Sequence, residues 1–333
     1  MLKNRRVFVT GAEGFIGSHV VEALLARGYA VKAGVCYNSF GSIGWLESLG
    51  SRPALETVAF DVRDQAAVRA AMAGCGAAMH LAALIAIPYS YVAPESYVDV
   101  NVKGTLNVLL AARDLGVEKI VCTSTSEVYG TAQFVPITEA HPLVGQSPYA
   151  ASKIGADQMA IAFERSFGLP VAIARPFNTF GPRQSLRAVI PTIVAQLASG
   201  ARTLALGDVT PTRDFNYVED TAAGLVAVLE SPRTAGETVN LGTGWDVSVG
   251  ETARLVGEIM ECRFEIAVDP ARIRPANSEV RRLQACTAKA EKLLDWRPTH
   301  AGPDGFRRAL EKTIAWFADP ANLARYRARE FVL

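Results

Sequence analysis

Three glycines at one strand-to-helix turn place the strongest constraint on the fold of this chain. Residues 6–10, RVFVT, have the β-branched and aromatic composition of a buried strand. Gly11, Gly14 and Gly17 follow at once as GAEGFIG, where an amphipathic helix over 15–27 begins. Glycine permits a tight turn and close approach of a phosphate, and the free N–H groups at a helix start favour anions. A GxxGxxG turn after the first strand therefore predicts a site for the pyrophosphate of a dinucleotide.

Apolar strands alternate with amphipathic helices through the first half of the chain. Further strands are predicted over 31–36, 57–60, 77–80, 119–124 and 171–175, and further helices over 65–73, 94–115 and 148–167. Such alternation is typical of a parallel sheet with helices on both faces, and right-handed crossovers make it doubly wound. Beyond Pro176, proline and glycine become frequent, and helices over 218–229 and 248–262 lie between short strands. We predict a Rossmann α/β domain over residues 1–176 and a smaller, interleaved α/β substrate-binding domain over residues 177–333.

Charge and cysteine usage narrow the range of partners. The 333 residues carry 34 Lys and Arg against 33 Asp and Glu, so charge offers no basis for nucleic acid or an anionic membrane as the main partner. The histidines and cysteines lack metal-ligand spacing, and an odd cysteine count is unlike a disulfide framework. No apolar run reaches the ~20 residues of a membrane span. Glycines interrupt the stretch where a signal peptide would need its apolar run. These patterns predict a cytoplasmic protein without a metal.

A tyrosine and a lysine lie four positions apart in the predicted helix over 148–167. Residues at this spacing share a helix face, so Tyr149 and Lys153 can point into one cleft. A phenol with a pKa near ~10 is a poor base at neutral pH, and a neighbouring cation favours the phenolate. The YxxxK pattern is common by chance, but the strand before this helix ends in Thr125-Ser126-Glu127. Open α/β sheets bind ligands at the carboxyl ends of their strands, so we predict a catalytic site there.

Taken together, the motifs resemble the extended short-chain dehydrogenases/reductases that act on nucleoside-diphosphate sugars. They are TGAEGFIG at 10–17, HLAA at 80–83, DVNVKGTLNVL at 99–109, STSEVYG at 124–130, SPYAASK at 147–153, RPFNTFGPRQ at 175–184 and RDFNYVED at 213–220. The nearest likeness is to 4,6-dehydratases of legionaminic-acid pathways that act on GDP-N-acetylglucosamine, which share segments like YNSFGSIGWL at 37–46. The resemblance implies a lyase that converts a hexose, expected to be GDP- or UDP-linked N-acetylglucosamine, to the 4-keto-6-deoxy sugar with internally recycled NAD.

The resemblance also implies roles for the catalytic residues. Tyr149 would take the proton of the C4 hydroxyl, and Lys153 would hold the phenolate and orient the nicotinamide ribose. Thr125 would hydrogen-bond O4, and Glu127 would remove the C5 proton. Ser126 departs from the pattern of many relatives, which place there the Asp that protonates the leaving C6 hydroxyl. The acid for that step therefore stays unassigned, with Glu127 as one candidate for both steps.

Cofactor and substrate contacts follow from the same resemblance. Further cofactor contacts are expected from Gly11, Gly14, Phe15, Ile16, Gly17, Asp61, Val62, Leu81, Ala82, Ala83 and Asn101. The second strand ends in AGVCYNS, with neither an Asp for a ribose 2′-hydroxyl nor an Arg for a 2′-phosphate. NAD is therefore favoured and NADP stays open. Arginine suits phosphate through its planar fork, so Arg213 and Arg274 are expected to bind the diphosphate, with Arg183 and Asn178 as further substrate contacts.

Three other functions remain open from the sequence. A C4 epimerase would use Tyr149, Lys153 and Thr125 without needing Glu127. A decarboxylase of a nucleotide uronic acid shares STSEVYG but fits SPYAASK poorly, and a redox-sensing NAD(P)-binding protein usually loses the Tyr/Lys pair. Similar enzymes pair the helices over 94–115 and 148–167 across a two-fold axis as a four-helix bundle, so we expect a homodimer.

Overall fold

The computed structural model describes residues 2–326. Its strands are β1 (Arg6–Thr10), β2 (Ala30–Cys36), β3 (Leu55–Phe60), β4 (Ala77–His80), β5 (Lys119–Thr123), β6 (Val171–Pro176), β7 (Asn178–Phe180), β8 (Thr203–Leu206), β9 (Thr212–Arg213), β10 (Phe215–Tyr217), β11 (Thr238–Leu241), β12 (Val247–Ser248), β13 (Glu265–Val268) and β14 (Arg282–Leu283). Its α-helices are α1 (Phe15–Ala26), α2 (Gln65–Met72), α3 (Ile87–Val92), α4 (Pro94–Tyr97), α5 (Gly104–Leu115), α6 (Pro148–Phe167), α7 (Val189–Ala198), α8 (Val218–Glu230), α9 (Val249–Ile259), α10 (Ala288–Leu294), α11 (Gly302–Ala318) and α12 (Pro320–Leu323).

Seven parallel strands form the central sheet in the order β11-β6-β5-β4-β1-β2-β3. From β1 the chain first adds strands on one side, through β2 to β3, and then crosses to β4 on the other side of β1. This reversal opens a crevice at the carboxyl ends of β1 and β4, which is where doubly wound sheets bind ligands. The doubly wound parallel sheet predicted from the sequence is confirmed.

Both faces of the sheet are covered, as the apolar strands require. Val7 and Val9 of β1 point into a cluster formed with α1 and α8, whereas Phe8 between them points into a cluster formed with α2, α5 and α6. Successive side chains of a strand alternate between faces, so a strand buried on both sides needs an unbroken apolar run. The run in residues 7–9 meets that requirement and is fully buried.

The second half of the chain builds smaller sheets and a separate apolar cluster. Three short sheets pair β7 with β10, β9 with β12 and β14, and β8 with β13. Phe306 of α11 stacks on Phe215 with ring centroids 5.7 Å apart, at the centre of a cluster with α7 and α9. However, β11 returns to the large sheet beside β6. The predicted domain boundary after residue 176 stays a prediction. The last residues of the predicted second domain, 327–333, lie outside the described residues.

The helix predicted over 94–115 is divided, which corrects the sequence interpretation. The stretch Val98–Lys103 between α4 and α5 is π-helical. This stretch carries Asn101, whose side chain forms two hydrogen bonds with the backbone of Leu84. Its Nδ2 donates to the Leu84 carbonyl oxygen, and its Oδ1 accepts from the Leu84 N–H, each at 2.9 Å. π-turns inside helices are frequent at functional sites. The homodimer expected from this helix and α6 stays a prediction.

A buried ion pair fastens α6 to the central sheet. Arg175 of β6 donates from Nη2 to Oδ2 of Asp157 at 2.9 Å, and both side chains are 3% exposed. The Ser124 hydroxyl donates to the same oxygen at 2.9 Å, and Arg175 also donates from Nη1 to the Tyr129 hydroxyl. Asp157 lies one helical turn after Lys153, so this pair holds the helix that carries the predicted catalytic residues.

We expect Asp157→Ala to lower the free energy of unfolding by about 3–5 kcal/mol, because it leaves the Arg175 guanidinium buried without its partner charge. Denaturant unfolding followed by circular dichroism measures the loss. The matched control is Asp295→Ala, which breaks the exposed pair with Arg233 and should cost less than about 1 kcal/mol. Equal losses in the two variants would contradict a special role for the buried pair.

Candidate active site

The glycine turn packs directly against the segment that follows β4. Gly11 has a φ of +65°, and a Cβ there would lie 2.9 Å from the backbone N and Cα of Ala82. A Cβ on Gly17 would lie 2.0 Å from the carbonyl oxygen of Gly11. The Thr10 hydroxyl accepts hydrogen bonds from the N–H groups of Leu81 at 3.1 Å and Ala82 at 3.0 Å. A larger side chain at either position would clash with neighbouring backbone, so glycine is needed for the turn to pack this closely.

The remaining predicted cofactor residues surround this turn in different ways. Gly14 is the N-cap of α1. Phe15 and Ile16 are the first two residues of that helix, and both pack into apolar clusters. Ala83 is half-buried in the segment that follows β4. Asp61 and Val62 follow β3, and hydrogen bonds from Arg63 hold the pKa of Asp61 below its usual range. The Asn101 side chain forms hydrogen bonds with the backbone of Leu84 and with the Ser152 hydroxyl, so in this structure it orders the loop after β4.

Thr125, Ser126 and Glu127 form a tight turn at the end of β5. Thr125 caps the 3-10 turn Ser126–Tyr129, and its hydroxyl accepts from the Glu127 N–H at 3.2 Å. Ser126 is 2% exposed and Glu127 is 8% exposed. Within residues 2–326, no hydrogen bond satisfies the Glu127 carboxylate. The charge of Glu127 acts on both Tyr149 and Arg213, so this carboxylate lies between the catalytic helix and the arginine cluster.

Tyr149 and Lys153 lie in the first turns of α6, on the face that meets this acidic turn. Ser147 caps the helix by accepting from the Ala150 N–H at 3.1 Å. Burial raises the pKa of the Tyr149 hydroxyl above its usual range; a hydrogen bond with Thr125 opposes that shift, and the charge of Glu127 adds to it. Three of the predicted catalytic side chains therefore lie within interaction distance of one another.

Lys153 is the fourth member of the group. Its ammonium donates to the carbonyl oxygen of Thr123 at 2.7 Å, and the side chain is 5% exposed. Burial lowers the pKa of Lys153, and the negative charge of Asp157 opposes the shift. The carboxylate of Asp157 thus favours a charged lysine beneath Tyr149 at neutral pH.

The two arginines expected to bind a diphosphate meet at one carboxylate. Arg213 donates from Nη2 to Oε1 of Glu279 at 3.1 Å, and Arg274 reaches the same oxygen from Nη1 at 3.5 Å. Burial lowers the pKa of Arg213, whereas the charge of Glu127 raises it, so this cluster borders the catalytic turn. Glu279 therefore lies between the two cations, and diphosphate binding by them stays a prediction.

The other two predicted substrate residues are placed differently. The Asn178 side-chain oxygen is buried without a hydrogen-bond partner in the described part of the chain, which suits a group that awaits a ligand. Arg183 instead binds α1, through Glu22 at 2.9 Å and the Ser18 hydroxyl at 3.2 Å. Its guanidinium is therefore occupied in this structure, and its role in substrate binding stays a prediction.

Three acids in this region were missed by the sequence analysis. Asp157 could have been found, because it follows Lys153 by four positions and must share its helix face. Glu13 lies inside the glycine motif, which was interpreted through its three glycines alone. Glu279 had no local signal, since only the folded chain brings it between Arg213 and Arg274.

Residues 2–326 contain neither a metal-binding cluster nor a membrane-spanning helix. No group of three or more His, Cys, Asp or Glu side chains is arranged to hold a metal ion in that part of the chain. Among the helices of the same residues, none combines the length and apolarity needed to cross a bilayer.

Comparison with known proteins places this geometry in context. The model of the GDP-mannose 4,6-dehydratase family matches residues 8–309. A dTDP-glucose 4,6-dehydratase of Actinoplanes sp. is 32% identical over 94% of this chain and 97% of its own length. A UDP-glucose 4-epimerase of Mycolicibacterium smegmatis is 32% identical over 92% and 97%. A dTDP-glucose 4,6-dehydratase from Streptomyces venezuelae, solved with NAD and TYD bound, superposes with a TM-score of 0.86 at 31% identity, over 96% of this chain and 98% of that one.

Proposed function

This chain belongs to the GDP-mannose 4,6-dehydratase family, and from that membership we propose that it is an NAD-dependent 4,6-dehydratase of a nucleoside-diphosphate hexose. The observation that carries the proposal is the mostly buried Glu127 side chain, whose charge acts on Tyr149 beside Thr125. Dehydration needs a base at C5, whereas epimerisation at C4 does not. Dehydratases of dTDP-glucose at 31–32% identity support the same reaction class.

The residues present fit a nicotinamide dinucleotide. The absence of a Cβ at Gly11 and Gly17 lets the turn pack tightly at the amino end of α1, where N–H groups favour a pyrophosphate. The NAD found in the solved dehydratase from Streptomyces venezuelae supports this choice. When bound, NAD would supply the acceptor for the C4 hydride and the same hydride for C6, so it is regenerated in each turnover.

The first proton transfer falls to Tyr149. Burial raises the pKa of the Tyr149 hydroxyl, so a nearby positive charge is needed to stabilise the phenolate. The phenolate is the form that accepts the proton of the C4 hydroxyl. Lys153, buried one helical turn away, supplies such a charge. Thr125 donates a hydrogen bond to O4 and so stabilises the negative charge that develops there.

Elimination of water falls to Glu127. The ketone at C4 acidifies the C5 proton, which Glu127 accepts, and the C6–O bond then breaks. The same proton returns from Glu127 to the leaving hydroxyl, which departs as water. When C6 receives the hydride, C5 takes up a proton from solvent through the emptied Glu127 carboxylate, and Tyr149 releases to solvent the proton it took from the C4 hydroxyl. Ser126 is a far weaker acid than the Asp of many relatives, so we assign both transfers to Glu127.

The substrate is proposed from the motifs and the arginines. Arg213 and Arg274 would bind the diphosphate after displacing Glu279, and Asn178 would donate to or accept from the sugar or phosphate. The motif resemblance favours N-acetylglucosamine linked to GDP or UDP. We also expect a homodimer through α6 and the helix before it.

A C4 epimerase is the second candidate. It is favoured by the UDP-glucose 4-epimerase of Mycolicibacterium smegmatis, which is as similar in sequence as the dehydratase of Actinoplanes sp.. Tyr149, Lys153 and Thr125 would serve that reaction unchanged, and Glu127 would have no part in it.

Product analysis separates the two candidates. Purified protein with added NAD is incubated separately with GDP-N-acetylglucosamine, UDP-N-acetylglucosamine and dTDP-glucose, and the products are examined by mass spectrometry and NMR. Loss of one water from any of them is the expected result, and the fastest substrate identifies the base. An unchanged mass with inverted configuration at C4 would establish the epimerase instead, and no reaction with any of the three would contradict the proposed substrates.

A further inference from the structure

The second strand of the sheet receives a carboxylate from outside its own sequence. Strand β2 ends at Cys36 without an acidic residue. Its last N–H, that of Cys36, donates to Oε1 of Glu13 at 2.9 Å. Glu13 belongs to the glycine turn between β1 and α1, so its side chain reaches across to the end of β2.

One oxygen of this carboxylate is left without a partner. Oε2 of Glu13 is buried and forms no hydrogen bond within residues 2–326. A buried charged acceptor that lacks a donor loses its hydration without compensation, which is unfavourable. A bound ligand with a hydroxyl donor at this point would restore the missing hydrogen bond.

The backbone of Glu13 is held in place from the opposite side. Its carbonyl oxygen accepts from the Trp45 N–H at 3.0 Å. Gly44 packs so closely that a Cβ there would lie 2.7 Å from the same oxygen. The 3-10 turn Gly44–Leu49 therefore closes over the glycine turn and holds the backbone from which the carboxylate extends to β2.

The end of β2 beside the glycine turn is where doubly wound folds bind the adenosine ribose, usually through an acid on β2 itself. We propose that Glu13 takes over this role: its carboxylate binds the ribose hydroxyls and selects NAD over NADP. The inference rests on the proposed use of a nicotinamide dinucleotide. A 2′-phosphate would replace a hydroxyl donor by negative charge and would be repelled by the carboxylate.

Arg63, a cation whose charge reaches Cys36 at the end of β2, does not offset that repulsion. Arg63 follows β3 and donates to both carboxylate oxygens of Asp61, from Nε to Oδ1 at 3.0 Å and from Nη2 to Oδ2 at 2.6 Å. Its guanidinium is thereby committed to a neighbouring acid. The charge presented at the end of β2 is that of Glu13.

Cofactor affinities test the proposal without any sugar substrate. The dissociation constants of NAD and NADP are measured by isothermal titration calorimetry on the full chain, and the nucleotide retained on purification is identified by chromatography. Glu13→Gln should weaken NAD binding roughly 10- to 100-fold, the range for loss of charge-assisted hydrogen bonds. NADP binding should weaken less or improve, so the preference for NAD falls at least roughly tenfold. Glu47→Gln, an exposed acid of the turn that covers Glu13, is the matched control and should leave the preference unchanged.

Several outcomes of these binding measurements would overturn the inference. Equal weakening of NAD and NADP in both Glu13→Gln and Glu13→Ser would assign Glu13 a purely structural role, and thermal unfolding of the variants shows whether the fold survives. An unchanged preference would also overturn the role of Glu13. If the unaltered protein binds neither dinucleotide, the proposed function fails as well. If it binds NAD but dehydrates no sugar, the proposed function fails while the assignment of Glu13 is still tested.

Discussion

Replacing Glu127 by glutamine should lower the rate of dehydration roughly 100- to 10,000-fold, the range for loss of a positioned acid–base group. Glutamine keeps the shape of the side chain at this buried position but cannot accept a proton from C5. Oxidation at C4 depends on Tyr149, Lys153 and Thr125, which stay in place. The variant should therefore still form the 4-keto sugar with its C6 hydroxyl intact.

Mass spectrometry and NMR of a reaction run in D₂O check both parts of this prediction. The unaltered protein should give a 4-keto-6-deoxy product that carries deuterium at C5, and Glu127→Gln should give neither deuterium nor loss of water. Ser126→Ala is the matched control at the adjacent buried position and should keep the rate within roughly tenfold, because the serine is not assigned a proton transfer. A Glu127→Gln variant that dehydrates at the original rate would assign the C5 base elsewhere.

Replacing Lys153 by methionine should lower kcat by a similar factor, roughly 100- to 10,000-fold, and should shift its pH dependence. Burial already raises the pKa of Tyr149, and the role proposed for Lys153, one helical turn further along α6, is to oppose that shift. A base acts only when deprotonated, so kcat rises with pH through the pKa of Tyr149 in the complex. Removing the cation raises that pKa further, and the acidic limb of the profile should move to higher pH.

The pH profile of kcat for the two proteins measures this shift. Lys289→Met is the control, because that lysine pairs with Glu237 on the surface, far along the chain from α6. Lys153→Arg retains a positive charge and should restore part of the shift. An acidic limb that stays in place in Lys153→Met would mean that the lysine acts on Tyr149 by position alone.

Much of the fold was predictable because its signals are local. Strands β1 and β4 and helix α6 have the predicted bounds, and most of the other predicted elements differ by one or two residues at their ends. No range was predicted for strands β7 to β14 or for helices α3, α7, α10, α11 and α12. The period of apolar side chains, the cap at Ser147 and the glycine turn after β1 each depend on residues a few positions apart. The π-helical stretch within the helix over 94–115 was not predicted, and its Asn101 contacts Leu84, a residue of another segment of the chain.

In the candidate site, too, local spacing was predictable from the sequence and long-range contacts were not. Tyr149 with Lys153 and Thr125 with Glu127 are each separated by a few residues, so their placement on one helix face and one strand end follows from local geometry. The burial of Glu127 did not follow, since an exposed loop carboxylate has the same local sequence. The occupation of Arg183 by α1 could not be predicted either, because Glu22 lies in a helix much earlier in the chain.

The sequence by itself determined the local motifs of the chain, since the glycine turn, the Tyr/Lys pair and the acidic turn are complete within short segments. Tertiary structure alone decided how these groups are charged and paired. Glu13 reaches the end of β2, Glu279 lies between two arginines, and Asp157 faces Arg175. Each contact joins residues brought together by sheet order and helix packing. The physical reason is that hydrogen bonds, ion pairs and burial depend on distances of a few ångströms in space, whatever the separation along the chain.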